Sequence, residues 1–548
     1  MEADLNIRSA VGNKTSNLRT NKWAVIADYL LITLSASLLI LSFPPFNLQY
    51  LAWIALVPLF FALEHHKAEF RFYLGYIFGI MFFAGILYWL TRVTFPGTIV
   101  LITLLALAPA IFCFLTSMPP GSSIADINTR SIYGLHGKYI IFRAAAFIPA
   151  AWVFTEYLRT YLFTGFPWSL LAYSQTLNPS FIQIADVTGA YGISFLIVLF
   201  NVGVYMAAKR ISKSLYLLIA ISIIFALVLI YGQYKMRLTF PAMNKLKVAI
   251  VQGNIPQEKK WDPRYRNFII DRYEALTEKA ALEDPDLIIW PETSIPGYFE
   301  DEQDIKDRLT DLAIEADAFF LFGTLRQKKE KVYNSAILLS AQGKALGKYD
   351  KIHLVPFGEY VPLRFLSGGL RELIDKPIGD FGGGNRFKVF KFRLSNTINQ
   401  GGQIQKTTEF YNFSALICFE DIFPDMSRRF VKQGARFLVN ITNDAWFGKS
   451  AAPFQHAQGS IFRAVENKVP VIRAANTGVS CVIDHCGRVV AIVKQGKEAI
   501  AVKGYINSAI SLPAIKTIYT RLGDLFAWFC ILVTFFGIAN FYLKTRKI

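Results

Sequence analysis

Long apolar runs fill most of residues 24–231 and return once at residues 525–543. A helix needs about 20 apolar residues to cross a hydrocarbon core, fewer where it is short or its neighbours help. Eight runs meet or approach that length: 24–41, 50–63, 72–90, 99–115, 139–158, 192–207, 215–231 and 525–543. The second and sixth are short, and Pro58 falls inside the second, a break that neighbouring helices accommodate.

Between the seventh and eighth runs the pattern changes. "KLKVAIVQGNI" (245–255) and "LIIWPE" (287–292) predict buried strands, with helices from Pro263 to Leu282 and near 301–316. "AFFLFGTL", "VYNSAILLS", "FKVFKFRL", "FYNFSALICFE", "RFLVNITND", "VPVIRAANTGVSCVID" and "RVVAIVKQG" continue the strands, and 453–468 is helical. Strands alternating with helices predict an α/β layered fold, whose functional groups gather beyond strand ends. The chain therefore divides into a tail (1–23), a seven-span membrane domain (24–231), a water-facing α/β domain (240–510), an eighth span (525–543) and a short tail (544–548). The polar stretch 395–408 reads as an exposed hairpin excursion without a part in chemistry, and 165–186, rich in aromatic, amide and proline residues, as a segment partly embedded at the outer interface.

Charge sets the orientation. Arg8, Lys14, Arg19 and Lys22, then Lys67 and Arg71, Arg130, Lys138 and Arg143, Lys209, Arg210 and Lys213, and finally Lys544, Arg546 and Lys547 fall on one side of eight spans. The opposite short loops hold little beyond Arg92 and Arg159. By the positive-inside rule both termini are cytoplasmic and the α/β domain is outside, in the periplasm where there is one. No small-residue cleavage site follows the first run, which is read as a retained anchor. Composition agrees, with 53% hydrophobic residues and 47 Phe and a mean hydropathy of +0.34. The net charge of +18 is spread along the chain without a zinc spacing or an RNA-binding motif, which points to lipid head groups and away from nucleic acid. Among the spans Glu156, near the outer end of the fifth, is the notable ionisable residue; a transporter lines its midplane with such groups.

The five cysteines form no disulfide framework. Cys113 and Cys530 read as packing within spans, and Cys481 and Cys486 as unpaired thiols flanking a hairpin turn. Cys418, in "FSALICFEDIFPD", ends a strand. A cysteine in such a run is by default a core residue; as a nucleophile it needs a nearby base or cation. His353 reads as orienting its loop and His456 as packing or capping on its helix, so neither supplies the base. A carboxylate does the same work: Glu292 ends a hydrophobic strand in "IIWPETSIP", between Pro291 and Pro296. Lys351, in "KYDKIHLVPFGEYVP", offers a cation for a thiolate or an oxyanion.

The order Glu, Lys, Cys, in "WPE", before "HLVPFGE" and in "CFED", resembles the nitrilase superfamily of carbon–nitrogen hydrolases. "HLVPFGEYVPLR", "NITNDAWFGKSAAPFQHAQGSIFRAVENKVPVIRAANTGVS" and the eight-span frame narrow the resemblance, over nearly all of residues 20–548, to the apolipoprotein N-acyltransferase family of bacterial inner membranes. The resemblance implies an αββα sandwich, with Glu292 as general base, Lys351 as oxyanion-stabilising cation and Cys418 as acylated nucleophile. It implies that Glu359 and Glu420 support the site and that Trp261 lies on a mobile loop near a lipid entrance. Phe419 stands where a Tyr is common, which removes a hydroxyl. Asn443, Asp444, Trp446 and Phe447 shape the mouth or form a tight turn packed by aromatics. The implied reaction moves an acyl chain from a phospholipid, through a cysteine thioester, to the α-amino group of a lipoprotein's S-diacylglyceryl cysteine, without metal or cofactor and in a monomer. The alternative is a membrane-tethered amidase or nitrilase with water as acceptor.

Overall fold

The computed structural model describes residues 22–118, 135–211, 214–238, 245–360, 380–400, 403–513 and 515–545. The expected tails therefore lie largely outside the described residues, as do Arg130 and Lys213.

Six helical stretches among the described residues are long and apolar enough to cross a membrane. They are α1 (Lys22–Leu41), α3 (Ala68–Ile86), the pair α4 (Phe95–Leu105) and α5 (Leu107–Leu115), α7 (Ala190–Ala208), α8 (Ser214–Arg237) and α13 (Leu525–Thr545). A further helix, α6 (Leu135–Tyr161), covers the fifth predicted span. The second predicted span differs. Residues Gln49–Trp53 form a 3-10 turn, and Pro58 opens a seven-residue helix, α2 (Val57–Leu63). With that turn α2 makes one apolar helical stretch, Gln49–Leu63, shorter than the six. It is packed inside the bundle, with Leu59 and Phe60 fully buried. The proline therefore starts a helix, where its missing N–H costs nothing. Helices α8 and α13 leave Ile223, Leu227, Ile230, Phe529, Leu532 and Phe536 exposed. An apolar face of that extent is stable against lipid and costly against water.

Between α8 and α13 the chain folds into two six-stranded sheets. The first runs β12-β1-β2-β3-β4-β5 and the second β11-β10-β9-β8-β7-β6. Their ranges are β1 Leu246–Gln252, β2 Leu287–Ile289, β3 Phe319–Lys328, β4 Lys331–Leu339, β5 Ala345–Asp350, β6 Phe390–Gln400, β7 Gln403–Ile417, β8 Phe437–Thr442, β9 Val471–Ala475, β10 Cys481–Ile483, β11 Val489–Ile492 and β12 Gly504–Ile510. The two-residue period of β1 shows the layering. Val248 and Ile250 join Phe413, Ala415, Phe437 and Val439 in the core between the sheets. Ala249 and Val251 join Ile269, Tyr273 and Leu309 under helices α9 (Arg266–Ala281) and α10 (Gln303–Glu315). Helix α10 buries Ile305, Leu309, Leu312 and Ala313, the spacing of one helical stripe. Helices α11 (Pro424–Lys432) and α12 (Ala452–Asn467) accompany the second sheet. This is the expected αββα sandwich. The 395–408 stretch pairs from Ser395 with Thr408 to Gln400 with Gln403, extending the β6–β7 hairpin.

Nearly every side chain of α12 is buried, because the helix lies between the sandwich and the helical bundle. Gln455 Oε1 accepts from Trp89 Nε1 at 3.1 Å and from Trp168 Nε1 at 2.9 Å. Its Nε2 donates to the carbonyls of Pro44 and Ile86 at 3.2 and 3.3 Å. The 165–186 segment is largely buried here, with Phe166 5.9 Å from Phe419 between ring centroids and Gln183 Nε2 donating to the Cys486 carbonyl at 2.9 Å. Cys481 and Cys486 are both free thiols.

Candidate active site

Three strand ends bring the sequence candidates together. Strand β2 ends at Ile289 and delivers Glu292. Thr293 follows at φ +41°, and Gly323 of β3 lets this turn lie close. A Cβ at Gly323 would stand 2.4 Å from the Thr293 nitrogen and 2.7 Å from the Glu292 Cα. Lys351 follows β5 directly, is 1% exposed and donates its N–H to the Asn334 carbonyl at 2.9 Å. Strand β7 ends at Ile417, so Cys418 begins a 3-10 turn at φ +54°, a left-handed conformation that costs a non-glycine residue about 1 kcal/mol or more. Asn440 Nδ2, from the neighbouring β8, holds that turn by donating to the Cys418 carbonyl at 2.9 Å.

Lys351 Nζ donates to Glu359 Oε1 at 2.9 Å and stands 3.8 Å from Glu292 Oε1. Asn334 Nδ2 bridges the two acids, at 2.7 Å from Glu292 Oε1 and 3.2 Å from Glu359 Oε1. Glu359 Oε2 accepts from the Val355 N–H at 2.8 Å. Glu420 links the lysine loop to the cysteine turn. It accepts from the N–H groups of Ile352, His353 and Ile417 at 2.7, 3.0 and 2.8 Å and from the Tyr349 hydroxyl at 2.9 Å.

The electrostatics separate the roles. Burial, and then the Glu292 carboxylate, push the Cys418 thiol well above its ordinary range, although Lys351 pulls the other way. A thiol of that kind is protonated at neutral pH and needs a base in the reaction. Burial opposes the Lys351 charge, but Glu359, Glu292 and Cys418 outweigh it and hold the ammonium above the usual lysine range. It is a permanent cation, suited to a developing oxyanion. The His353 ring packs tilted against Phe423, 3.9 Å between centroids, and burial with the Lys351 charge pulls it down to about 4.

A base, a fixed cation and a strained thiol can together carry out acyl transfer through a covalent intermediate. Two family models cover most of the chain. Residues 35–203 match the apolipoprotein N-acyltransferase N-terminal domain, and residues 247–510 match carbon-nitrogen hydrolase. An apolipoprotein N-acyltransferase of Geobacter metallireducens is 38% identical over 92% of this chain and 93% of its own length. Relatives of the same name from Shewanella oneidensis and Rickettsia prowazekii are each 30% identical, over 88% and 82% of this chain and 90% and 85% of their own. The chain belongs to the apolipoprotein N-acyltransferase family.

As a member of that family it is a multi-pass membrane protein with a nitrilase fold. The remaining candidates differ in burial and in their contacts. Phe419 is buried against Phe166 and Phe423. Trp261 and Trp446 are exposed by 46% and 40%. Asn443 is held on both sides: its Nδ2 donates to Gln257 Oε1 at 2.9 Å and its Oδ1 accepts from Asn476 at 3.0 Å. Phe447 packs on Trp89 at 4.6 Å between centroids.

Three features escaped sequence reading. Asn334 looked like one polar position within a strand. Lys260 is a buried lysine whose Nζ donates to the Glu292 carbonyl at 3.0 Å. His456, read as a packing or capping residue, lies between Asp421 (2.8 Å from Nε2) and Asp444 (3.0 Å from Nδ1). Arg473 and Ser460 complete that buried cluster on Asp421. Burial opposes the His456 charge, but Asp421 leads a pull that brings it up to about 9. The imidazole is therefore a structural cation behind the cysteine turn. The available signal was Asp421, placed just after the cysteine, with no cation adjacent in sequence to balance it.

Proposed function

We propose that this protein N-acylates lipoproteins, with Glu292, Lys351 and Cys418 as its catalytic triad. The acyl chain comes from a membrane phospholipid and passes through a Cys418 thioester to the α-amino group of an S-diacylglyceryl cysteine. Glu292 accepts the thiol proton as sulfur attacks the ester carbonyl, and Lys351 stabilises the resulting oxyanion. Collapse breaks the ester C–O bond, and Glu292 returns the proton to the departing lysophospholipid oxygen. The acceptor amine then attacks the thioester, Glu292 takes its proton, and the Cys418 sulfur leaves and is reprotonated. A thioester stores the chain for a second nucleophile, and a mouth at the membrane face keeps water from competing.

The observation that carries this reading is the convergence of three strand ends on one buried site, where Lys351 Nζ stands 3.8 Å from Glu292 Oε1 and both act on the Cys418 thiol. Glu359 and Glu420 act as supports that fix Lys351 and its loop. Trp261, Phe419, Asn443 and Trp446 contribute to substrate binding. The enzyme works as a monomer in the bacterial inner membrane, with residues 240–510 in the periplasm and both termini in the cytoplasm. The test supplies purified protein with a phospholipid and a diacylated lipopeptide, and in parallel with a small amide. Triacylated lipopeptide is the expected product. Free acid from the amide, without lipopeptide acylation, would place the chain's chemistry with the amidases.

A further inference from the structure

The short loops opposite the basic side of the spans hold little positive charge beyond Arg92 and Arg159. Arg159 is spent inside the fold, where its guanidinium donates to the carbonyls of Phe166 and Trp168 at 3.2 and 2.5 Å. Arg92 is exposed and makes no ion pair or side-chain hydrogen bond with any described residue.

Arg92 ends the 3-10 turn Tyr88–Arg92, which joins α3 to α4. Both helices belong to stretches able to cross a membrane, which places the turn between them at the level of lipid head groups. The turn is docked on the loop that follows β8. The Tyr88 hydroxyl accepts from the Ala451 N–H at 3.3 Å, and Trp89 packs on Phe447. Gly448 lies against the guanidinium, since a Cβ there would stand 2.5 Å from Arg92 Nη1. Its backbone, at φ +57° and ψ −159°, adopts a conformation left almost entirely to glycine. The next residue, Lys449, is exposed and equally without an ion pair or side-chain hydrogen bond among the described residues. Two unneutralised cations therefore meet at one corner between bundle and sandwich.

That corner is joined to the catalytic centre by a short path. Strand β8 pairs with β7 as far as Ile417 with Ile441, and Cys418 follows Ile417. From Thr442 at the end of β8, a single 3-10 turn, Asp444–Phe447, leads to Gly448. A guanidinium presents a planar fork of N–H donors that fits two phosphate oxygens, and an ammonium adds a second positive charge. A phospholipid carries its phosphate next to its glycerol esters, whereas an S-diacylglyceryl peptide has none in that group.

We propose that Arg92 and Lys449 form a binding site for the phosphodiester of the acyl donor, holding its ester end toward Cys418. This rests on the reading of a phospholipid as donor. Because the contact is to the phosphate, the corner requires that group without selecting the alcohol it carries.

The test follows formation of the acyl-enzyme without acceptor, in mixed micelles of varied donor content. It compares the full-length enzyme with Arg92→Gln, Lys449→Gln and the double variant, each supplied with a phospholipid or with 4-nitrophenyl palmitate, an uncharged ester that lacks phosphate. Each single variant is expected to need about fivefold more phospholipid for half-maximal rate, the scale of one exposed charge interaction, and the double variant more than either. The maximal rate, and the half-maximal content of the uncharged ester, stay where the unmodified enzyme has them. Half-saturation does not depend on how much of a variant folds, so a loss of folded protein leaves the reading intact. An unchanged phospholipid requirement in the double variant would overturn the proposal. An equal rise with both donors would overturn it too, and would make the corner a structural contact between bundle and sandwich. If the unmodified enzyme is acylated by the ester and not by phospholipid, the donor reading fails first and the proposal falls with it.

Discussion

Lys351 Nζ lies 3.8 Å from Glu292 Oε1, inside a buried site where Asn334 also donates to that oxygen at 2.7 Å. Removing Lys351 leaves the Glu292 and Glu359 carboxylates without the cation they share, while removing the Glu292 charge leaves Lys351 paired with Glu359 alone. Glu292→Gln and Lys351→Ala are each expected to lower the rate by at least ~10²-fold, the scale of losing a base or an oxyanion donor. Steady-state acylation of a diacylated lipopeptide by protein of normal membrane insertion checks this. Near-normal rates in either variant would remove it from the triad.

Cys418→Ala is expected to abolish both enzyme acylation and transfer. In the unmodified enzyme, labelled phospholipid alone should transfer its label to Cys418 as a hydroxylamine-sensitive adduct. That label should then pass to lipopeptide added after the phospholipid has been removed, as the proposed two-step scheme requires. Label that reaches product only when both substrates are present together would replace the two-step scheme with direct transfer.

The His456 cluster makes stability depend on pH. In the folded state His456 is raised from 6.5 to about 9, so its contribution is fully present below about pH 6.5 and fades as pH rises through about 9. The contribution is on the order of a few kcal/mol. Thermal unfolding of the enzyme and of His456→Gln, measured between pH 6 and 9.5, checks the sign. The advantage of the unmodified enzyme should shrink across that window; a constant difference would mean that the imidazole acts through packing alone.

Orientation has its own test. With Lys and Arg on alternate loops, the positive-inside rule predicts the α/β domain outside the cytoplasm. A reporter that works only after export, fused to the chain truncated after Ser340, should be active. Activity only in a cytoplasmic reporter at the same point would put the chemistry on the other leaflet.

Much of this was legible in the chain. Hydropathy runs located the helical bundle, since a lipid-facing helix must be apolar along its whole length. Strand–helix alternation predicted the layered fold, since each sheet must cover an apolar face. Motif order led to Glu292, Lys351 and Cys418, each of which follows the end of its strand. The second run is apolar enough for a short span, but the sequence did not show its break into a 3-10 turn and α2 at Val57. Only the tertiary structure brought Asn334 between Glu292 and Glu359, set Lys260 on the Glu292 carbonyl and enclosed His456 between two aspartates. Those contacts join positions 12 to 42 residues apart, and no local periodicity carries them. Their physical basis is a buried charge's need for a partner wherever the fold can deliver one. The sequence by itself pointed to Glu292, Lys351 and Cys418 as the candidates, and tertiary packing decided which polar groups hold them in place.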